Sequence, residues 1–368
     1  MVPRRILFFL SSMTCGGAER VALLLSSALL DLGCEVIVVL ARGEGEFLAL
    51  LPSRVKIVSL ECGRPINGVR RFGGVIHQLD PDVIVSFGMH VGVAAALSKK
   101  MFGFRQPLLV RNESHIAVEW ARERLHNRLL GPLLSRWMAR SSTIVCVSHS
   151  LRVPTAEFLR ITPERIEVVL NPVFPLAAPA NEATLHPWLA RKTCPTFIAM
   201  GRLELQKDFR TLLGAFRRVL DEVDCRLVIF GEGSLRRSLS EQCADLRLGA
   251  SVDFAGVTES PSLQMRHATG FVLSSCWEGF GLVLVEALAA GTEVISTDCD
   301  YGPSELLQGG RFGTLVPVSN EAALAVAMVR LAWGGVAESK PSSEWYAQFD
   351  ASVAARQHLE IIERVIAG

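Results

Sequence analysis

The stretch Ser274-Ser275-Cys276-Trp277-Glu278-Gly279-Phe280-Gly281-Leu282-Val283-Leu284-Val285-Glu286 sets two carboxylates around a glycine-bearing turn. An apolar strand ends near Ser274, a loop follows, and a helix is predicted from near Leu282 to Gly291 as its C′ residue. Glycines let backbone approach a ligand closely, and helix-start N–H groups attract an anion such as a pyrophosphate. Glu278 then falls in the loop, with Glu286 on the same helical face as Leu282, one turn on. Carboxylates so placed can accept hydrogen bonds from the hydroxyls of a sugar and a ribose. The plain alternative makes Glu286 an ordinary helix acid and Glu278 a helix-dipole partner. Against it, Glu286 is embedded in Leu-Val-Leu-Val-Glu-Ala-Leu, and a carboxylate in apolar surroundings needs a partner or a purpose.

Arg202 and Lys207 follow the predicted strand Thr196–Met200, at its carboxyl end. A guanidinium fork and an ammonium there can neutralise a departing nucleoside diphosphate; otherwise they are a solvated basic loop. Gly16-Gly17 follows the first strand and opens the amphipathic pattern Arg20–Leu32. This is not a GxGxxG fingerprint, and Glu35 stands at the start of the next strand rather than its end, which disfavours an NAD site. His115 closes Arg111-Asn112-Glu113-Ser114-His115 at another strand end, with His90 a rival after Val83–Gly88. Alone, either histidine also reads as packing or surface. Asp298-Cys299-Asp300 has metal-site spacing, but it opens into Tyr301-Gly302-Pro303 with Pro303 at a helix N1 position. No metal site and no cofactor are expected.

The elements that must hold these residues are short apolar runs alternating with helical patterns, the mark of parallel sheets covered by helices. The first series is Ile6–Leu10, Glu35–Leu40, Val55–Leu60, Asp82–Phe87, Pro107–Arg111, Thr143–Val147 and Ile166–Leu170. A second restarts at Thr196–Met200, Arg226–Phe230, Val252–Ala255, Gly270–Ser274, Glu293–Thr297 and Thr314–Val316. Asn171–Pro195, rich in proline and alanine, reads as a linker. Glu344–Ala367 has helical spacing and either braces the first domain or continues the second. Two doubly wound α/β domains would turn the carboxyl ends of their strands toward a shared cleft.

At 368 residues, 49% hydrophobic and 20% charged, the chain is neither disordered nor a nucleic-acid tail. Its net charge of +1 hides an asymmetry: residues 1–180 hold 21 basic and 14 acidic residues, the remainder 17 and 23. That asymmetry suggests that the halves face different partners. Mean hydropathy is +0.32, yet no apolar run approaches the roughly 20 residues of a spanning helix. Nine cysteines without a Cys-x-x-Cys suggest reduced thiols and a cytoplasmic setting. Within Trp120–Arg140, Arg122, Arg124, Arg128, Arg136 and Arg140 alternate with Trp120, Trp137 and several leucines. That pattern suits peripheral contact with an anionic membrane on its cytoplasmic face, or else a buried apolar face with solvated arginines.

The residues Glu278 to Glu286, written EGFGLVLVE, resemble the E-x7-E motif of retaining glycosyltransferases of family 4. Gly16-Gly17-Ala18-Glu19-Arg20, Asn171-Pro172-Val173, Gly201-Arg202-Leu203 with Gln206-Lys207-Asp208, Gly231-Glu232-Gly233 and Asp298–Glu305 resemble further blocks of that family, in the same order over nearly the whole chain. The resemblance implies the GT-B fold of two facing Rossmann-like domains: an acceptor domain, 1–172, joined by a C-terminal helix, 346–367, and a nucleotide-sugar domain, 173–345. It implies donor contacts from Gly16, Gly17, Arg202, Lys207, Glu278, Gly279, Phe280, Gly281, Leu282 and Glu286, and puts His115 on the transferred sugar. Glu278, His115, Arg202 and Lys207 are the catalytic candidates. The expected activity is metal-independent, retaining transfer of a hexose or N-acetylhexosamine from a UDP-sugar to a hydroxyl of a lipid-linked or polysaccharide glycan. The alternatives are a nucleotide-sugar epimerase of similar two-domain fold and a non-catalytic sugar-nucleotide binding protein.

Overall fold

The computed structural model describes residues 4–14, 16–122, 125–174, 182–191 and 193–367. It divides into two units, Met1–Pro175 with Ala347–Gly368 and Leu176–Tyr346. Unit 1 opens with β1 (Arg5–Leu10), α1 (Gly17–Asp31), β2 (Glu35–Leu40), β3 (Lys56–Ser59) and α2 (Val69–Leu79). It continues through β4 (Val83–Phe87), α3 (Met89–Phe102), β5 (Leu108–Asn112), α4 (Ile116–Arg122) and α5 (Leu125–Met138). β6 (Thr143–Cys146), α6 (Arg152–Leu159) and β7 (Ile166–Val168) end its first segment. The strands form one parallel sheet in the order β3-β2-β1-β4-β5-β6-β7. A central parallel strand is covered on both faces, so it reads as an unbroken apolar run; Ile6–Leu10 and Val83–Phe87 are buried throughout. Phe9 stacks on Phe72 of α2 at 4.2 Å between ring centroids, which fastens the helix to the sheet.

Unit 2 runs α7 (Pro187–Arg191), β8 (Thr196–Met200), α8 (Phe209–Val219), β9 (Arg226–Phe230), α9 (Arg236–Asp245) and β10 (Val252–Gly256). Then come α10 (Pro261–His267), β11 (Gly270–Leu273), α11 (Leu282–Ala289), β12 (Glu293–Thr297) and α12 (Pro303–Leu306). β13 (Thr314–Val316), α13 (Glu321–Ala332) and α14 (Ser343–Ala347) complete the unit. Its sheet is also parallel, in the order β10-β9-β8-β11-β12-β13. In both sheets the order reverses beside the first strand, between β1 and β4 and between β8 and β11, and ligands bind Rossmann-like sheets at such a switch point.

After unit 2 the chain returns to unit 1 as α15 (Ala351–Ala367), which packs on α1. The return is hydrogen-bonded to the outgoing segment: the Val173 N–H donates to Phe349 O at 2.8 Å and the Ala351 N–H to Phe174 O at 2.9 Å. Deeper, Arg111 is fully buried at the end of β5. Its Nε donates to Glu113 at 2.8 Å, and its terminal nitrogens donate to His358 Nε2 of α15 at 2.6 Å and to Asn171 Oδ1 at 2.5 Å. Three partners meet the guanidinium, as a buried charge requires.

Part of the expected linker is folded instead. Residues 175–181 and Lys192 lie outside the described residues, but 182–191 packs against α10. Buried Gln264 contributes: its Nε2 donates to Thr184 O at 2.8 Å and its Oε1 accepts the His186 N–H at 3.0 Å. Thr184 Oγ1 also reaches Ser260 Oγ at 3.3 Å and His186 Nε2 lies 3.0 Å from Asp253, so proline and alanine content conceals a segment ordered by several distant polar partners.

Candidate active site

At the carboxyl end of the unit 2 sheet, the loops after β8, β9, β11 and β12 interlock. Gly201 follows β8 and Gly231 follows β9, with φ of +155° and +134°. A Cβ on Gly231 would overlap the carbonyl oxygen of Gly201, so the two loops meet only because glycine stands there. Glu204 accepts from both the backbone N–H and the hydroxyl of Ser234, each at 2.8 Å. The loop after β11 is tied to the loop after β8 by three bonds: Cys276 N–H to Gln206 O at 2.8 Å, Gln206 Nε2 to Trp277 O at 3.0 Å, and Ser274 Oγ to Lys207 O at 2.7 Å. Thr297 at the end of β12 donates to Ser275 O at 2.6 Å. Gly302, at φ +96°, lies so close that a Cβ would strike the backbone of Phe280.

This interlock brings Lys207 and Glu278 together. Lys207 Nζ lies 2.6 Å from Glu278 Oε1, and the side chains are only 14% and 7% exposed. Ser275 Oγ donates to the same oxygen at 2.6 Å. The two charges thus act as a unit, where residue types alone assigned them separate tasks. The Cys299 thiol beside them is pushed up to about 12, by burial first and then by the negative charge of Glu278.

Gly279, Phe280 and Gly281 carry the chain from Glu278 into α11, whose N-cap Gly281 is left-handed and supplies no side-chain cap. The first turn therefore has no side-chain cap, and its Leu284 N–H meets Gly281 O at 2.9 Å instead. Glu286 is buried in the second turn. Gly291 ends the helix: its N–H donates to Leu288 O and the Thr292 N–H to Ala287 O, both at 3.0 Å, in a Schellman closure. Arg202 is exposed at the end of β8, in no ion pair among the described residues. Asp298 and Asp300 are exposed after β12.

In unit 1, Gly16 is the N-cap of α1, where a Cβ would overlap the Glu19 carboxylate, and Gly17 is exposed in the first turn. His115 is half-buried, and its Nδ1 accepts the Val118 N–H at 3.2 Å. It therefore caps α4, and the Nδ1 bond leaves the ring proton on Nε2. His90 sits beside the β1–β4 switch point with Nε2 3.1 Å from Ser11 Oγ. The side chain of Arg122 and all of Arg124 fall outside the described residues. Trp120 packs as an interhelix contact, its ring lying where a Cβ on Gly131 would be.

Two family models match, each on one unit. "Glycosyltransferase Family 4" covers residues 15–175 and "Glycosyl transferases group 1" covers residues 194–332. The chain belongs to glycosyltransferase family 4. Over 324 residues it is 26% identical to the N-acetylgalactosamine-N,N'-diacetylbacillosaminyl-diphospho-undecaprenol 4-alpha-N-acetylgalactosaminyltransferase of Campylobacter jejuni, covering 85% of this chain and 86% of that one. An uncharacterized glycosyltransferase of Methanocaldococcus jannaschii is 39% identical over 112 residues, 30% of this chain and 28% of that protein. The crystal structure of Anabaena HepE in complex with UDP and glucose matches with a TM-score of 0.79 at 18% identity, over 98% of this chain and 100% of that chain. That likeness is one of fold, the GT-B pairing of Rossmann-like units.

In this family 4 glycosyltransferase, residue types did not single out Ser275, Gln206 or Ser274, which fix the Lys207–Glu278 pair in place. The available signal was two serines where the buried run Gly270–Leu273 stops. A hydroxyl pair at the end of a buried strand needs acceptors.

Proposed function

We propose that this glycosyltransferase catalyses metal-independent, retaining transfer of a hexose or N-acetylhexosamine from a UDP-sugar to a hydroxyl of a lipid-linked or polysaccharide glycan. The buried Lys207–Glu278 pair, with exposed Arg202 after the neighbouring strand β8 and an α11 start that has no side-chain cap, carries this reading. The diphospho-undecaprenol in the name of the Campylobacter relative supports a lipid-linked acceptor. No helix among the described residues is long and apolar enough to cross a membrane. We place the enzyme in the cytoplasm, peripheral on the cytoplasmic face of the inner membrane.

In the reaction, the acceptor oxygen bonds to the anomeric carbon as the bond from that carbon to the diphosphate oxygen breaks. UDP leaves with the electron pair, and the acceptor proton passes to the departing phosphate on the same face. Negative charge grows on the diphosphate, where Arg202, Lys207 and the amides of Phe280–Leu282 stabilise it. Glu278 holds Lys207 in position and offers its carboxylate to hydroxyls of the donor sugar; buried Glu286 serves the ribose. Gly16 and Gly17 give the donor a close backbone approach. His115, by its resemblance to the family's histidine, is the residue we propose to contact the transferred sugar.

The test supplies candidate UDP-sugars with and without a lipid-linked glycan acceptor. UDP release should accelerate with acceptor, survive EDTA, and yield a product whose anomeric configuration by NMR equals that of the donor. Rapid interconversion of two UDP-sugars without acceptor would make the protein an epimerase. Tight UDP-sugar binding with no turnover would make it a binding protein. An EDTA loss restored by Mg²⁺ would return Asp298 and Asp300 as metal ligands.

A further inference from the structure

A surface helix normally turns its apolar side chains inward. In α5, Leu129, Leu130 and Leu133 are 64%, 54% and 59% exposed. Helical geometry stacks Leu129, Leu133 and Arg136 along one stripe, continued by Arg140 just past the helix end, with Leu130 and Trp137 on its flank. The opposite side of α5 is filled by buried Gly131, Ser135 and Met138, and Trp120 of α4 lies against Gly131. The core face is therefore complete without the three leucines.

Beside the stripe lies a groove of about 280 Å³, walled by Leu133, Trp137 and Leu159 and rimmed by Arg136, Arg140 and Arg160. Arg136 is fixed: its Nε donates to Phe158 O at 2.8 Å and its guanidinium lies 5.6 Å from the Phe158 ring centroid. Arg128, Arg140 and Arg160 are exposed, and among the described residues none of them is in an ion pair. Across residues 125–160 stand Arg128, Arg136, Arg140, Arg152 and Arg160, against Glu157 alone. Exposed leucines flanked by unpaired guanidiniums match the boundary of a negatively charged bilayer, with apolar side chains toward the acyl region and cations among the phosphates.

We propose that this face of unit 1 docks on an anionic lipid bilayer, Leu129, Leu130 and Leu133 entering the acyl boundary and Arg128, Arg140 and Arg160 meeting headgroup phosphates. Docking extends the lipid-linked part of the functional reading. It is measured without turnover, so its failure is distinct from failure of the transfer reaction.

The full chain is sedimented with vesicles of phosphatidylcholine, alone or with about one-third phosphatidylglycerol. It should bind the anionic vesicles, ignore the neutral ones, and come off as salt rises. Arg140→Gln with Arg160→Gln should weaken binding roughly 30-fold, from about 1 kcal/mol for each basic residue at an anionic surface. Leu129→Ser with Leu133→Ser should weaken it by at least about tenfold, with circular dichroism unchanged. Arg210→Gln with Arg237→Gln, exposed in unit 2, should leave it unaltered. Wild-type protein that does not sediment, binding indifferent to the leucine or arginine pair, or an equal loss in the unit 2 control would each overturn the proposal. So would a dimer in sedimentation velocity that the leucine variant dissolves without any vesicle binding, since the face would then belong to a second copy.

Discussion

Lys207 and Glu278 are opposite charges held at 2.6 Å in a place with little water. Removing one member strands the other, at a cost of about 3–5 kcal/mol. Lys207→Met should therefore lower Tm by several degrees and cut kcat by at least ~10²-fold. Lys207→Met combined with Glu278→Leu should recover much of the Tm and none of the activity. Exposed Arg202 gives the contrast: Arg202→Ala should lower kcat by ~10²-fold or more while Tm stays put. Thermal melts run beside initial rates decide both, and near-normal kcat/KM in the two single variants would remove these residues from the chemistry. The types and spacing of Lys207 and Glu278 were legible in the sequence. Their pairing was not, because it spans 71 positions and depends on the side chains of Ser274, Ser275 and Gln206.

At the scale of elements, apolar runs identify the strands because a parallel sheet buried on both faces demands them. Thr196–Met200, Arg226–Phe230 and Glu293–Thr297 coincide with β8, β9 and β12 residue for residue. Loops obey no such period. The order of 182–191 comes from Gln264, Ser260 and Asp253, far along the chain, and the Trp120–Arg140 pattern resolves into an interhelix tryptophan and an exposed leucine stripe only in three dimensions. Glycines reveal which loop contacts are tight. Gly302→Ala would drive a Cβ into the Phe280 backbone and shift the turn that opens α11. It should weaken UDP-sugar binding and lower stability by more than left-handed strain alone, which costs about 1–2 kcal/mol. Gly309→Ala is the control, also left-handed at φ +66° but with nothing within 4 Å of the added carbon. Equal effects of the two substitutions in denaturant melts and donor titrations would refute the steric account.

For the molecule as a whole, the joint between β5 and α15 is sensitive to acid. His358 is held down to about 3, by burial first and then by the positive charge of Arg111, whose far side faces Glu113. The folded state thus keeps the ring neutral, while the unfolded chain protonates it below about 6.5. Stability is whole above that value and falls by about 1.4 kcal/mol per pH unit as the medium acidifies toward 3. His358→Gln retains an acceptor for Arg111 without a titrating ring, so it should flatten that slope between pH 6.5 and 4. Urea midpoints across that range are the measurement, and parallel slopes in the two proteins would assign acid sensitivity to other groups.

The same return of α15 sets an order of assembly during translation. Unit 2 is continuous in sequence, whereas unit 1 is interrupted by it. A ribosome makes most of unit 1 first, yet Arg111 stays without His358 until all of unit 2 has emerged. The part synthesised second is then the first able to close its core, contrary to the usual N-terminal-first sequence of domain folding. A nascent chain stalled after Tyr346 should carry a protease-resistant unit 2 behind a unit 1 that is still cut, and resistance of the leading part should appear only once residues 347–367 are exposed. Chaperones would meet this enzyme chiefly through its waiting first half.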